Sequence, residues 1–145
     1  MRSDSVIALV SAIRYQGVEL IERELRARGI RDLKPSHGAL LASLYGRRGR
    51  AGMKELLRSS GRKKSTLTEM ANKLEKQGYL RRVPDPEDSR GVVLELCPKA
   101  YEIEGAFSAI SELLIARAWR GFGEDEKQTL LRLLERMLGS LREEA

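Results

Sequence analysis

The spacing of apolar residues changes abruptly near Leu80, and no other feature of the chain constrains its fold as much. Upstream, apolar side chains recur at intervals of three and four. From Leu80 to Val83 and again from Gly91 to Leu96 the spacing is extended, with Val92, Leu94 and Leu96 on one side and Val93 and Glu95 on the other. Between the two runs, Pro84, Asp85, Pro86, Glu87, Asp88 and Ser89 make a tip rich in turn formers. This pattern predicts a β-hairpin set into a chain that is otherwise helical.

The helices around it are read from the same periodicity. Val6, Ile7, Val10, Ile13, Leu20, Ile21 and Leu25 share one face of a long first helix that Gly29 ends. Pro35 or Ser36 starts a second helix, carrying Leu40, Leu41 and Leu44 and stopping at Gly46, and the Gly46 to Gly52 cluster is expected to be a loop. Two short helices follow, from Met53 to about Ser59 and from Lys64 to Gln77. Leu67, Met70, Ala71 and Leu74 form the inner face of the second, and Gly78 ends it. At its start, Thr66 to Glu69 spell a capping box, with Ser65 as the alternative cap. After the hairpin, Pro98 opens a helix expected to reach Gly121. A last helix after Gly123 carries Leu130, Leu131, Leu133, Leu134, Met137, Leu138 and Leu141. That is more apolar surface than one stripe on a small monomer uses, so it suggests a subunit interface.

Charge and composition narrow the function. Arg47 to Arg82 holds twelve basic and three acidic residues, a net +9 in a chain whose total is +6, so the remainder is net −3. One strongly basic face on a nearly neutral body suits a polyanion, because each neutralised phosphate releases counterions. A single cysteine, Cys97, and a single histidine, His37, leave no zinc cluster and little for acid–base catalysis, so no metal, cofactor or enzymatic activity is expected. No apolar run approaches the ~18 residues of a membrane span, and the first residues lack the pattern of a secretory signal. A soluble cytoplasmic protein is expected. At 145 residues, it is expected to form a single domain.

Two short helices joined by a glycine turn and followed by a hairpin describe a winged helix-turn-helix, in which the second helix enters the major groove of DNA. The fold class expected is mainly α with a two-stranded β-wing. Ser65, Thr66, Thr68, Glu69, Asn72 and Lys73 lie near the start of that helix or opposite its apolar face. Small hydroxyl residues there let the backbone approach DNA, and Lys63 and Lys64 suit phosphate oxygens.

The run Ser65-Thr-Leu-Thr-Glu-Met-Ala-Asn-Lys-Leu-Glu-Lys-Gln-Gly78-Tyr-Leu-Arg-Arg82 resembles the recognition helix and first wing strand of MarR-family transcriptional regulators. Asp85-Pro-Glu-Asp88-Ser-Arg90 and Val93 to Lys99 resemble that family's wing and the start of its next helix. Helix order, loop lengths and total length fit as well, so the resemblance spans essentially the whole chain. It implies that Arg90 is the wing arginine reaching the minor groove, where negative potential is concentrated, with Asp85 and Asp88 orienting it or shaping the tip. Arg82 joins the DNA contacts. The turn Ser60-Gly61-Arg62-Lys63 departs from the family pattern, which has apolar residues and a capping hydroxyl there. Cys97 stands where a threonine cap is usual, and Ala100 where glycine is.

The resemblance further implies a homodimer built from the first and last helices, at residues 1–30 and 100–145, around a DNA-binding lobe at 33–97. Val10, Ile13, Leu134, Met137, Leu138 and Leu141 would be its interface residues. The expected function is a repressor on a pseudo-palindromic operator, relieved by a small aromatic or phenolic ligand, with Tyr15, His37 and Tyr45 as the pocket candidates; a repressor without any ligand remains open. Two further readings stand beside this one. A winged-helix module that binds protein and has no operator is disfavoured by the arginine-rich wing. A redox role for the Cys97 thiol at a helix start competes with its reading as a small packed residue.

Overall fold

The computed structural model describes residues 2–143. They fall into two compact units that divide between Ser111 and Glu112. The fold is mainly helical, with one small antiparallel sheet. In the first unit, a 3₁₀ turn (Ser3–Ser5) leads into α1 (Val6–Ala27), α2 (Pro35–Tyr45), β1 (Arg50–Gly52), α3 (Met53–Ser60) and α4 (Lys64–Lys76). The hairpin strands β2 (Leu80–Asp85) and β3 (Asp88–Leu96) follow, then α5 (Pro98–Glu102) and the start of α6 (Glu104–Ala118). The second unit holds the end of α6 and α7 (Glu124–Arg142).

The expected two-stranded wing is the β2–β3 pair, but the sheet has three strands in the order β1-β3-β2. Arg50, Ala51 and Gly52, expected as loop, pair with Glu95, Leu94 and Val93. β3 has a second edge whose backbone donors and acceptors need partners, and this short segment meets that need. The hairpin is also longer than the alternation suggested. Its strands run to Asp85 and from Asp88, leaving only Pro86 and Glu87 between them, with a register shift at Pro84/Asp85.

α4 ends at a glycine for a definite reason. Gly78 takes the left-handed conformation (φ 86°), its N–H bonds to Glu75 O and the next N–H, of Tyr79, reaches back to Leu74 O at 3.0 Å. This pair of bonds satisfies carbonyls the helix would otherwise leave open, and it turns the chain directly into β2. Gly29 closes α1 with the same two bonds.

The core of the first unit is the set of helical inner faces foreseen from the spacing. Leu41 and Leu44 of α2, Leu56 of α3, Leu67, Ala71 and Leu74 of α4 and Leu94 of β3 are at most 1% exposed. The helix expected from Pro98 to Gly121 is instead interrupted at Ile103 (φ −103°, ψ 3°), and α6 stops at Ala118. In the second unit, α7 begins after Gly123, whose N–H is accepted by the Glu126 carboxylate at 2.9 Å. Glu124, Asp125 and Glu126 place negative charge at the positive end of the helix dipole. Among the described residues α7 buries none.

Candidate nucleic-acid interface

The turn between α3 and α4 decides where the second helix begins. Gly61 is left-handed (φ 66°), the Arg62 N–H is held by Ser60 Oγ at 3.2 Å, and Lys63 is extended. The helix therefore starts at Lys64, three residues earlier than a Thr66 capping box requires. That box and the Ser65 alternative do not form: the N-cap is Lys63, which has no side-chain acceptor and makes no cap bond. Lys63, Lys64, Ser65, Thr66, Glu69, Asn72 and Lys73 are exposed and Thr68 is half-buried, while Leu67, Met70, Ala71 and Leu74 point inward.

The wing tip is built by its two aspartates. Asp85 Oδ1 accepts the Glu87 N–H at 2.9 Å, and Asp88 Oδ1 accepts the Arg90 N–H at 3.0 Å; both are side-chain-to-backbone turns that replace a longer loop. Lys54 Nζ of α3 donates to Asp88 Oδ2 at 3.1 Å, tying the tip to the helix pair. The Arg90 N–H and then Lys54 hold the Asp88 carboxyl below its ordinary pKa. Close packing explains Gly91, since a Cβ there would stand 3.0 Å from that of Asp85. Both carboxylates thus engage the backbone of the tip. The Arg90 side chain is exposed and, among the described residues, forms no salt bridge.

Arg82 plays a different part. Its guanidinium donates to Thr68 O at 3.3 Å and lies 3.7 Å from Glu75, while its own N–H donates to Glu75 Oε2 at 3.0 Å. It fastens the base of the wing to α4. One cleft of about 350 Å³ gathers the candidates: Lys64 and Thr68 from α4, Arg82, Asp85, Asp88 and Arg90 from the hairpin, and Lys54 and Leu57 from α3. Lys54 and Glu75 were not singled out as site residues. Lys54 lies 34 residues from Asp88 in the chain, and no spacing rule reaches that far.

Part of the basic segment's charge is consumed internally. Arg47 pairs with Glu55 at 3.2 Å, and Glu95 holds both Arg81 (2.7 Å) and Arg50 (3.9 Å) across the sheet. Among the described residues Lys63, Lys64 and Lys73 form no ion pair.

The three pocket candidates are dispersed. Tyr15 is 60% exposed on α1. Tyr45 donates its hydroxyl to Ala100 O and packs edge-on against Phe107 and Tyr101; burial, then Glu104 and Tyr101, push its pKa up to about 12. His37 lies two turns earlier on α2, half-buried, with Nδ1 unpaired. Burial first, and then the Lys34, Lys73 and Arg62 cations, lower its pKa against the opposing pull of Glu69, which favours the neutral ring. Of the expected interface residues, Val10, Ile13, Leu134, Leu138 and Leu141 are exposed and Met137 is half-buried. Among the described residues there is no group of metal-ligating side chains and no helix long and apolar enough to cross a membrane.

Known proteins resemble this chain in sequence and in fold. The MarR family model matches residues 33–92, from just before α2 to the middle of β3. The uncharacterized HTH-type transcriptional regulator YkoM of Bacillus subtilis is 35% identical over 115 residues, covering 74% of this chain and 72% of that protein. The chain belongs to the MarR family of winged helix-turn-helix transcriptional regulators. The HTH-type regulator SarZ of Staphylococcus haemolyticus is 31% identical over 75 residues, about half of each chain (52% and 50%). Among solved structures, a MarR protein of Peptoclostridium difficile superimposes with a TM-score of 0.82 at 21% identity, covering 97% of this chain and 90% of its own. A mutant MarR of Escherichia coli, complexed with operator DNA, gives 0.77 at 22% identity over 95% of this chain and 99% of that one. These two likenesses concern the fold.

Proposed function

We propose that this MarR-family protein is a homodimeric repressor that acts in the cytoplasm on a pseudo-palindromic double-stranded operator. The observation that carries the reading is the cleft in which Lys64 and Thr68 of α4 face Arg90 of the wing. A helix with an exposed polar face and unpaired lysines at its start meets the major groove and its phosphates. An arginine on a tip braced by Asp85, Asp88 and Lys54 reaches an adjacent minor groove. Lys63, Ser65, Thr66, Glu69 and Lys73 extend the contact along α4, and Arg82 contributes by holding wing and helix together. The relative from E. coli was solved with its operator, which supports the same use of the fold here.

Residues 33–97 form the DNA-binding lobe in this reading, and segments 1–30 and 100–145 dimerise; residues 1, 144 and 145 lie outside the described part of the chain. Exposed apolar faces on α1 and α7 support the dimer, since Ile13 is 64% and Leu141 68% exposed. A small aromatic acid would relieve repression by favouring a dimer whose recognition helices no longer match the operator. The decisive experiment measures binding to the DNA flanking the protein's own gene at several salt concentrations. Nanomolar affinity for an inverted repeat with a steep salt slope is expected. Weak, sequence-blind binding would overturn the repressor reading in favour of a protein-interaction module.

A further inference from the structure

The far end of α4 sits in a polar clasp that no DNA contact explains. Tyr79, the second residue after the helix turn at Gln77, is 2% exposed, and its hydroxyl donates to Asp32 Oδ1 at 2.6 Å. Lys99 Nζ, from the first turn of α5, donates to Asp32 Oδ2 at 2.8 Å and to Gln77 O at 2.7 Å, and lies 4.3 Å from the centre of the Tyr79 ring. Gln77 Nε2 donates back to Asp32 O, and Cys97 N–H donates to Tyr79 O at 2.9 Å. Burial alone would raise the Asp32 pKa, but the Lys99 and Tyr79 bonds outweigh it and leave the carboxyl below its ordinary value, so the clasp is ionic at neutral pH.

Three segments meet here that are remote in sequence: the loop after α1, the turn after α4 and the start of α5. Besides this clasp, α4 is held to the base of the wing by the Arg82 bonds to Thr68 O and Glu75, and by the inward-facing Leu67, Met70, Ala71 and Leu74, whose apolar contacts are non-directional. Hydrogen bonds to a charged pair fix direction as well as distance. The clasp therefore ties the end of α4 to the loop that follows α1, the helix that bears Val10 and Ile13.

We propose that Asp32 and Lys99 are positioning residues for operator recognition, setting the angle of α4 against α1 and thereby the separation of the two recognition helices in the dimer. The inference rests on the dimeric operator reading above. Its geometric consequence is a preferred half-site spacing, since one base pair shifts a half-site by about 3.4 Å and rotates it by roughly 35°.

The test measures affinity for operators whose half-site spacing is changed by one base pair in either direction, using the full chain and its Asp32→Asn, Lys99→Met and doubly substituted forms. Thermal unfolding is followed alongside. The wild type is expected to prefer one spacing. Both single variants are expected to lose about tenfold at that spacing and to flatten the preference, and the double variant to lose little more than either alone. A purely electrostatic role predicts opposite changes, because one substitution removes a negative charge and the other a positive one. Tyr79→Phe, which deletes one bond and keeps the ring, supplies the same comparison if the charge variants unfold. Retention of the wild-type spacing preference in the folded variants, or opposite shifts in their affinity, overturns the inference and leaves the repressor reading intact. A wild-type protein with no preferred spacing overturns the dimeric reading and the inference with it.

Discussion

Leu74 in α4 and Leu138 in α7 are both leucines on the apolar stripe of an amphipathic helix, yet Leu74 is fully buried and Leu138 is 48% exposed. The helices around Leu74 close over one another and over the sheet, so the winged lobe satisfies its own apolar surface. Along α7, Leu130, Leu131, Leu133, Leu134, Leu138 and Leu141 are between 36% and 68% exposed. Covering a leucine fully gains about 1.5–3 kcal/mol, so a stripe of this length left in water represents a large unused driving force. The contrast teaches that one part of the chain buries its apolar stripe in its own packing, whereas the other leaves its stripe in water, as the proposed dimer would require.

The sharpest way to break that comparison is to remove a side chain from each part and ask whether protein concentration matters. Leu74→Ala is expected to cost about 2–5 kcal/mol of folding stability, because it leaves a cavity in a site with no exposure. Denaturant unfolding should show the loss equally at low and high protein concentration. Glutamates at Leu134 and Leu138 together are expected to give a monomer by light scattering, to abolish the concentration dependence of the melting temperature and to weaken operator binding roughly 100-fold. A doubly substituted protein that stays dimeric would remove α7 from the interface.

Two smaller effects sharpen the comparison within the winged lobe. Arg90→Ala should leave the melting curve unchanged, since the side chain is exposed, while lowering operator affinity about tenfold in a binding titration. Unchanged affinity would take Arg90 out of the contact. The smallest effect concerns pH. The folded-state pKa of Asp88 is lowered, so its contribution is complete above the unfolded value of 3.8 and is lost as pH falls through the folded one. Operator binding should be insensitive to this group from pH 8 down to about 5, and Lys54→Ala should raise the carboxyl's titration midpoint in an NMR experiment.

Much of the fold was legible because it is written in local patterns. The alternation from Val92 to Leu96 is one strand of the wing, the three-and-four spacing of Leu67, Met70 and Leu74 is the inner face of α4, and Gly29 and Gly78 end their helices where expected. The start of α4 at Lys64 was legible but its cap was not: a capping box at Thr66 is a weaker signal than the backbone of Gly61 and Lys63, which sets the helix going at Lys64. β1 was invisible for another reason: Arg50 to Gly52 has no strand pattern of its own and becomes a strand only because β3 presents an open edge.

The amino-acid sequence by itself determined the order of helices and hairpin, the basic segment and the polar outer face of α4, since each depends on neighbours within a turn or two. Only the tertiary structure decided the partners of that segment. It spends Arg82 on Thr68 and Glu75, braces the wing tip with Asp88 and Lys54, and joins Asp32 to Tyr79 and Lys99 across 47 and 67 residues of chain. Those pairings follow from how packing brings segments distant in the chain into contact, and periodicity along the chain carries no information at that range.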